Sequence, residues 1–265
     1  HLHCILQLTW IPFFAIMDDT KDSSSTCKAT PKSNNSGDVS LAFTMLLKLG
    51  LPAMVNNAAA PIAAIINVAL IAHATKDHTE STNQVAAYAL VAGTCGFALN
   101  IFNFVVSVTM SLVGESVGKK KWSEVGGRVR ISLVVAIVTG LLCAMVVFAL
   151  KNPLFKLFGA SDVVQNAAAE YFLLRLATIP LLFICRVCWG VISGYQRVFS
   201  VSVLNFCIAL FDVVGNYVAL YHFNTGLKGS GYATLAATAF GVVALVIGMR
   251  MWVPDGAKGE IRWLP

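Results

Sequence analysis

Residues 198–223, VFSVSVLNFCIALFDVVGNYVALYHF, decide the fold that the sequence predicts. The run is apolar and long enough to cross a bilayer, for which about 20 residues suffice. Asp212 lies in its middle, and Asn216 follows one helical turn later. A carboxylate at that depth costs roughly 2.5–3.5 kcal/mol on insertion scales. We therefore expect Asp212 to face the interior of a helix bundle and not the lipid.

The composition of the whole chain supports a membrane protein. Of its 265 residues, 57% are hydrophobic and 12% are charged, whereas soluble domains carry about 25% charged residues. The net charge of +6 does not indicate nucleic-acid binding, because the basic residues lie in loops between apolar runs. A basic loop beside a membrane more often contacts anionic lipid headgroups.

The pattern of apolar runs predicts an all-α membrane protein with six transmembrane helices. Residues 1–40 are predicted to form a short apolar segment and a disordered polar linker, residues 41–253 the helix bundle, and residues 254–265 a cytoplasmic-side tail. The six predicted spans are residues 49–74, 84–113, 131–150, 171–195, 198–223 and 231–253. In the fourth span, Gly190-x-x-x-Gly194 permits close approach of a second helix.

The distribution of basic residues among the loops predicts the orientation. Thirteen Lys and Arg residues fall on one side of the six predicted spans and four on the other. The positive-inside rule then places both termini on the cytoplasmic side, or in the equivalent compartment of an organelle. The protein is thus expected to be a multi-pass protein of the plasma membrane or of an organelle envelope.

Two charges lie well inside the predicted spans, Arg186 in the fourth and Asp212 in the fifth. These spans are antiparallel neighbours, and counting residues from their shared turn gives a difference in depth of roughly 6 Å. A long arginine side chain can cover that distance, so an Arg186–Asp212 ion pair is a hypothesis. The alternative is that Arg186 faces a water-filled cavity alone.

A second group of polar residues lies between mid-membrane and the non-cytoplasmic side. Asn67, Asn216 and Thr234 fall at this depth in the first, fifth and sixth spans. Together with Asp212 they would suit Na⁺ or a proton relay. Asn and Thr are also common in plain hydrogen bonds between helices, and spacing alone favours that structural reading.

The remaining patterns give no enzyme, metal or cofactor site. Cys185-x-x-Cys188 lies in an apolar helical run, where cysteine behaves as a small hydrophobe. His73, Asp77 and His78 lack a fixed fourth ligand, so no metal site is predicted. The sequence contains no phosphate-binding loop, nucleophile elbow or zinc signature, which argues against an enzyme.

Several motifs in the expected order resemble the multidrug and toxic compound extrusion (MATE) transporters, and within them the plastid and DinF-like branch. The run LGLPAMVNNAAAPIAAIINVALIAH resembles the first helix of that family, with Pro52 and Pro61 matching its prolines. YFLLRLATIP, which ends at Pro180, resembles the family pattern Y-L-x-L-R-x-x-x-x-P. Residues 227–234, LKGSGYAT, resemble the start of its sixth helix. Pro52, Pro61 and Pro180 are candidate helix hinges, since proline removes a backbone hydrogen bond.

The resemblance implies a proton- or sodium-coupled antiporter of twelve helices in two six-helix lobes, with a central cavity for organic cations or organic acids. The chain would supply the first lobe only. It is then expected to be a fragment of a longer transporter, or else to associate as two copies; the first is favoured. Implied partners are the lipid bilayer, a small organic solute and the missing lobe or a second copy, without nucleic acid and without a cofactor beyond the coupling ion.

The sequence departs from the family pattern at the residues that bear on coupling. Asn67 stands where the family often carries an acid, and Asp212 and Asn216 are exchanged relative to its N-x-x-x-D. Thr234 keeps its hydroxyl. One carboxylate therefore remains where the first lobe can have two. A transport-inactive membrane protein that acts as an interaction or regulatory partner is the alternative function.

Overall fold

The computed structural model describes Met54 and residues 58–75, 77–195 and 197–253. Every regular element in these ranges is helical, which confirms the predicted all-α membrane class. The elements are α1 Ala58–Ala74, α2 His78–Ile101, α3 Phe104–Gly118, α4 Trp122–Ala149, α5 Lys151–Leu157, α6 Asp162–Gly194, α7 Val198–Tyr217 and α8 Gly226–Met251. A π-helical segment, Val218–His222, continues α7.

Five helical stretches in the described residues are long and apolar enough to cross a membrane, and α1 is a shorter apolar helix. The first of the five, His78–Gly118, contains both α2 and α3 and runs for 41 residues. A two-residue turn at Phe102 and Asn103 interrupts it. The hydropathy of the sequence placed one uninterrupted span at residues 84–113, because the turn residues do not lower the apolar character of the run.

Helices α4 and α6 begin earlier than the spans predicted at residues 131 and 171. They start at Trp122 and Asp162, and each has an acid in its first turn, Glu124 and Asp162. An acid there interacts favourably with the positive end of the helix dipole. Hydropathy detects only the part of a helix that is apolar all round, so it misses these polar first turns.

Helix α6 is the centre of the bundle and contacts α2, α3, α4 and α8. Its large side chains Tyr171, Phe172, Ile179 and Phe183 are buried. Helix α7 packs mainly on α8 and contacts α6 at few points. The other described helices therefore leave one face of α7 uncovered.

Glycines in α6 allow α3 to approach closely, as the Gly190-x-x-x-Gly194 spacing predicts. A Cβ atom added at Gly190 would lie 3.1 Å from the carbonyl oxygen of Val106, and one at Gly194 would lie 3.0 Å from Cγ1 of Val113. Contacts this short leave no room for a side chain. The second half of α6 therefore packs backbone to backbone against α3.

The candidate hinge prolines lie in different settings. Pro180 lies inside α6, which continues through it, and its Cα would be 2.8 Å from a Cβ added at Gly140 of α4. Pro61 is exposed in α1 near the beginning of its described part. Pro52 lies outside the described residues, as do the predicted linker and tail. Hinge motion at these positions stays a prediction.

Large apolar side chains are exposed over the outer faces of the bundle. On α4 they include Ile131 and Val138, and on α7 they include Phe199, Phe206 and Leu210. A soluble monomer exposes contiguous apolar patches of only a few hundred Å². These faces fit a bundle surrounded by lipid or by further helices.

Candidate functional site

The carboxylate of Asp212 on α7 lies against α1. Asn67 of α1 donates a hydrogen bond from Nδ2 to Oδ2 of Asp212 over 2.7 Å. Asn67 is buried because Ala63, Asn67 and Ile71 follow one another at four-residue spacing and form the inward stripe of α1. Further along, the hydroxyl of Tyr221 donates to the carbonyl oxygen of Leu70 over 3.3 Å. Helices α1 and α7 thus contact each other through polar groups.

Asn216 lies one turn after Asp212 on the same face of α7. Its Nδ2 donates to the backbone carbonyl of Asp212 over 2.8 Å and to Oδ1 of the same residue over 3.3 Å. The side chain of Asn216 is fully buried. Both oxygens of the Asp212 carboxylate therefore accept from an amide.

Helix α8 completes the arrangement. Ser230, which is fully buried, donates from Oγ to Oδ1 of Asn216 over 2.5 Å. The helices approach closely here, because a Cβ added at Gly215 would lie 3.4 Å from Cβ of Ala233. Asn67, Asp212, Asn216 and Ser230 form one hydrogen-bonded chain across three helices, and we refer to these four residues as the Asp212 network.

Thr234, which the sequence grouped with these residues, lies one turn beyond Ser230 on α8. Its backbone carbonyl accepts a hydrogen bond from Oγ1 of Thr238, and no hydrogen bond in the described residues joins its hydroxyl to the network. Ser230, one turn earlier on the same helix, supplies the hydroxyl that donates to Asn216. The offset between α7 and α8 decides the depth, and the sequence does not contain it directly.

The predicted Arg186–Asp212 ion pair is wrong. Arg186 instead donates from Nη1 to Oδ1 of Asn103 over 2.6 Å, at the turn between α2 and α3. Counting residues gave similar depths for the two charges but could not give the direction in which each points around its helix. Since α6 packs against α3 and only sparsely against α7, Arg186 reaches the α2–α3 turn.

The guanidinium of Arg175 on α6 has Tyr171, Tyr88 and, more weakly, Asp212 as electrostatic neighbours. The rings of Tyr88 and Tyr171 are stacked with centroids 5.7 Å apart. The sequence pattern did not single out Arg175, because it lies nearer the beginning of the predicted span, where an interfacial arginine is ordinary. One feature of the sequence could have identified it: Arg175 follows Tyr171 by one helical turn in an otherwise apolar run.

Among the side chains that belong to the Asp212 network or are electrostatically coupled to it, three enclosed polar atoms have no hydrogen-bond partner in the described part of the chain. They are Oδ1 of Asn67, Oη of Tyr171 and Nε of Arg175. A Cβ added at Gly231, next to Ser230, would lie 3.1 Å from Cδ2 of Tyr171, so this tyrosine lies beside the network. Buried polar groups are nearly always hydrogen-bonded, and such atoms commonly bind water or an ion. The chemistry available is a carboxylate with amide and hydroxyl oxygens, suited to a proton or a hard cation.

The other polar candidates do not join this site. Asp77 caps α2, accepting at Oδ1 from the backbone N–H of Thr79 over 3.0 Å. Cys188 is buried, and Cys185 contacts the carbonyl oxygen of Thr238 through its sulfur over 3.9 Å. Both cysteines therefore contribute to helix packing.

The family model and the solved structures that match this chain both describe MATE proteins. The family model described as MatE matches residues 52–218. A MATE crystal structure in the bent conformation is similar, with a TM-score of 0.68 and 16% identity over 83% of this chain and 47% of that one. The Vibrio cholerae MATE transporter VcmN in its bent form gives a TM-score of 0.68 and 17% identity over 83% of this chain and 49% of VcmN.

A third solved structure is a transporter of the MOP superfamily from Pyrococcus furiosus. It gives a TM-score of 0.61 and 17% identity over 82% of this chain and 48% of the other. No curated protein matches the sequence significantly. The chain therefore spans about half the length of the solved structures that it resembles.

Proposed function

This chain belongs to the MatE family of transporters, and on that premise we propose that it is one half of a secondary antiporter. The complete transporter would export small organic solutes, organic cations or organic acids, by alternating access. A proton or Na⁺ gradient would drive it through the Asp212 network. Because the family consists of transporters, the prediction that the protein is not an enzyme is confirmed at the level of the family.

The observation that carries the proposal is the pair of amide hydrogen bonds on the Asp212 carboxylate. One bond comes from Asn67 of α1 and the other from Asn216, which Ser230 of α8 holds in turn. A carboxylate that joins helices within a membrane-spanning bundle is a functional site by default, because a charge there is costly.

The coupling step that we propose is a change in the hydrogen bonds of the carboxylate. When Oδ2 of Asp212 takes up a proton, it becomes a donor and no longer accepts from Nδ2 of Asn67, while the unpartnered Oδ1 of Asn67 is the nearest acceptor on that side chain. Na⁺ would use Oδ2 of Asp212 and Oδ1 of Asn67 as ligands. Either event changes how α1 is held against α7, and these two helices would then move relative to each other.

Completion of the solute cavity requires further helices. The chain covers 47% to 49% of the solved MATE structures reported above, and α7 leaves large apolar side chains exposed. We propose that a second six-helix half, or a second copy, covers this face. We also propose that the chain belongs to the plastid and DinF-like branch. Its location would be the plasma membrane or an organelle envelope.

The test is gradient-driven uptake in proteoliposomes that contain the chain, alone and joined to a second six-helix half. Ethidium and citrate serve as a cationic and an acidic probe. Asp212→Asn should abolish uptake driven by a pH or Na⁺ gradient but leave exchange of labelled for unlabelled probe, because exchange needs no coupling ion. Asp162→Asn, at the exposed beginning of α6, is the matched control and should behave as the native chain.

An unchanged dependence on pH and Na⁺ in Asp212→Asn would remove this carboxylate from coupling. No probe exchange in either form of the chain would instead favour the alternative function, a transport-inactive membrane partner. The half length of the chain is the observation that supports this alternative.

A further inference from the structure

The end of the bundle at which α3 meets α4 is strongly basic. The segment from Glu115 to Arg130 contains five cations and two acids. The cations are Lys119, Lys120, Lys121, Arg128 and Arg130. This end therefore carries an excess of positive charge beside an apolar helix.

Both acids of the segment are already paired within the chain. Glu115 accepts from Lys119 over 2.6 Å and from Arg128 over 3.3 Å. Glu124 accepts from Lys121 over 2.9 Å and lies 3.7 Å from Arg128. Three of the five cations are thus held by the two carboxylates.

Lys120 and Arg130 are the two cations of the segment that pair with neither carboxylate. Among the described residues, no hydrogen bond or ion pair satisfies the side chain of either one. Lys120 lies in the turn between the helices with a positive φ of 55°, and Arg130 is exposed on α4. These two residues supply the uncompensated positive charge of this end.

Arg130 lies at the depth where the apolar part of α4 begins. Residues 131–149 contain no charged side chain. Nineteen helical residues span roughly 28 Å, close to the hydrocarbon thickness of a bilayer. The guanidinium therefore lies at the boundary between acyl chains and headgroups, which is where lipid phosphates are found.

The face of α4 that carries Arg130 looks away from the bundle. The inward face is a stripe of buried residues: Val125, Val129, Ala136, Gly140, Cys143 and Val147. On the other side, Ile131 is 66% exposed and Val134 is 59% exposed. The outward face is therefore available to lipid.

A shallow, open hollow of about 410 Å³ lies on this outward face, lined by Gly127, Arg130, Ile131, Val134 and Val135 of α4. A Cβ added at Gly127 would meet nothing within 4 Å, so the missing side chain leaves a notch beside the guanidinium. The hollow combines a cation at its polar end with an apolar wall that continues into the membrane.

We propose that this hollow binds an anionic phospholipid. Arg130 contacts the phosphate, Lys120 adds to the positive potential at the same end, and an acyl chain lies along Ile131 and Val134. Charge complementarity selects the occupant, since a zwitterionic headgroup gains less from two uncompensated cations. The site is separate from the Asp212 network and does not depend on transport.

The test is lipid retention by the purified 265-residue chain in detergent, measured by native mass spectrometry. The probes are phosphatidylglycerol and phosphatidylcholine with identical acyl chains. The native chain should retain phosphatidylglycerol preferentially. Arg130→Gln should lower the relative affinity for it about fivefold, the loss expected for one basic residue at a membrane surface.

Two further variants separate the charge from the hollow. Gly127→Leu fills the notch without changing the charge, and its Cβ meets no atom within 4 Å, so it should also reduce retention of phosphatidylglycerol. Lys156→Gln removes the same charge from the exposed side of α5 and should change nothing.

Four results would overturn the proposal. They are an unchanged lipid preference in Arg130→Gln, equal retention of the two lipids by the native chain, displacement of phosphatidylglycerol by inorganic phosphate, and loss of a dimer instead of a lipid in Gly127→Leu. The third would assign the hollow to a soluble anion and the fourth to a second copy of the chain.

Discussion

At the scale of single residues, the Asp212 carboxylate accepts hydrogen bonds from two amides. Asn67, Asp212 and Asn216 come together, as their shared depth in the sequence predicts. Ser230 and Arg175 could not be predicted with the same ease, because their roles depend on the offset and rotation of α8 and α6. Residue counting gives depth along a helix, but not direction around it.

Ser230 and Thr234 provide a matched test of the network. Ser230→Ala removes the hydrogen bond to Asn216, and such a bond contributes about 1 kcal/mol. We expect the apparent affinity of the transporter for its coupling ion to fall roughly fivefold, since 1.4 kcal/mol is a factor of ten. The measurement is the dependence of probe uptake on proton and Na⁺ concentration. Thr234→Val should leave that dependence unchanged. A larger effect in Thr234→Val than in Ser230→Ala would show that Thr234, and not Ser230, belongs to the site.

Arg175 should oppose cation binding beside Asp212. A positive charge near the site repels an incoming cation by about 1–2 kcal/mol at the effective dielectric of protein sites. Arg175→Gln should therefore lower the half-saturating concentration of the coupling ion roughly tenfold. Arg186→Gln is the control, because Arg186 bonds to Asn103 and not to the network. A higher half-saturating concentration in Arg175→Gln would mean that the arginine supports cation binding.

At the scale of elements, α6 organises the bundle through small residues at its contacts. The sequence predicted five of the spans at approximately correct positions, because a long apolar run is a strong signal. It did not predict the turn at Phe102 and Asn103 or the polar first turns of α4 and α6. Those features depend on backbone hydrogen bonds and helix dipoles, which leave little trace in hydropathy.

The α3–α6 contact is the place where the fold should tolerate change least. Gly194→Leu would place a side chain within the space of Val113 and force the helices apart, at a cost of about 1–3 kcal/mol for overpacking. We expect a lower Tm in detergent. Gly96→Ala, where an added Cβ meets nothing within 4 Å, is the control and should not lower Tm. Equal Tm values for the native chain and Gly194→Leu would show that this contact does not limit stability.

At the scale of the whole molecule, the chain is a helical membrane protein of the MatE family that spans about half of its solved relatives. Composition alone predicts the membrane class, and the order of the motifs predicts the family. The branch and the solute class stay predictions. The coupling that we propose therefore depends on Asp212, the carboxylate that joins α1 and α7.

Ion release on solute binding tests that claim most directly. If the complete transporter is an antiporter, as we propose, it must release its coupling ion when the solute binds. Addition of probe to the purified protein in weakly buffered solution should release protons, or Na⁺ at constant pH, in the native form and in Asp162→Asn. Asp212→Asn should release neither. Equal release from Asp212→Asn and the native protein would contradict the assignment of coupling to this carboxylate.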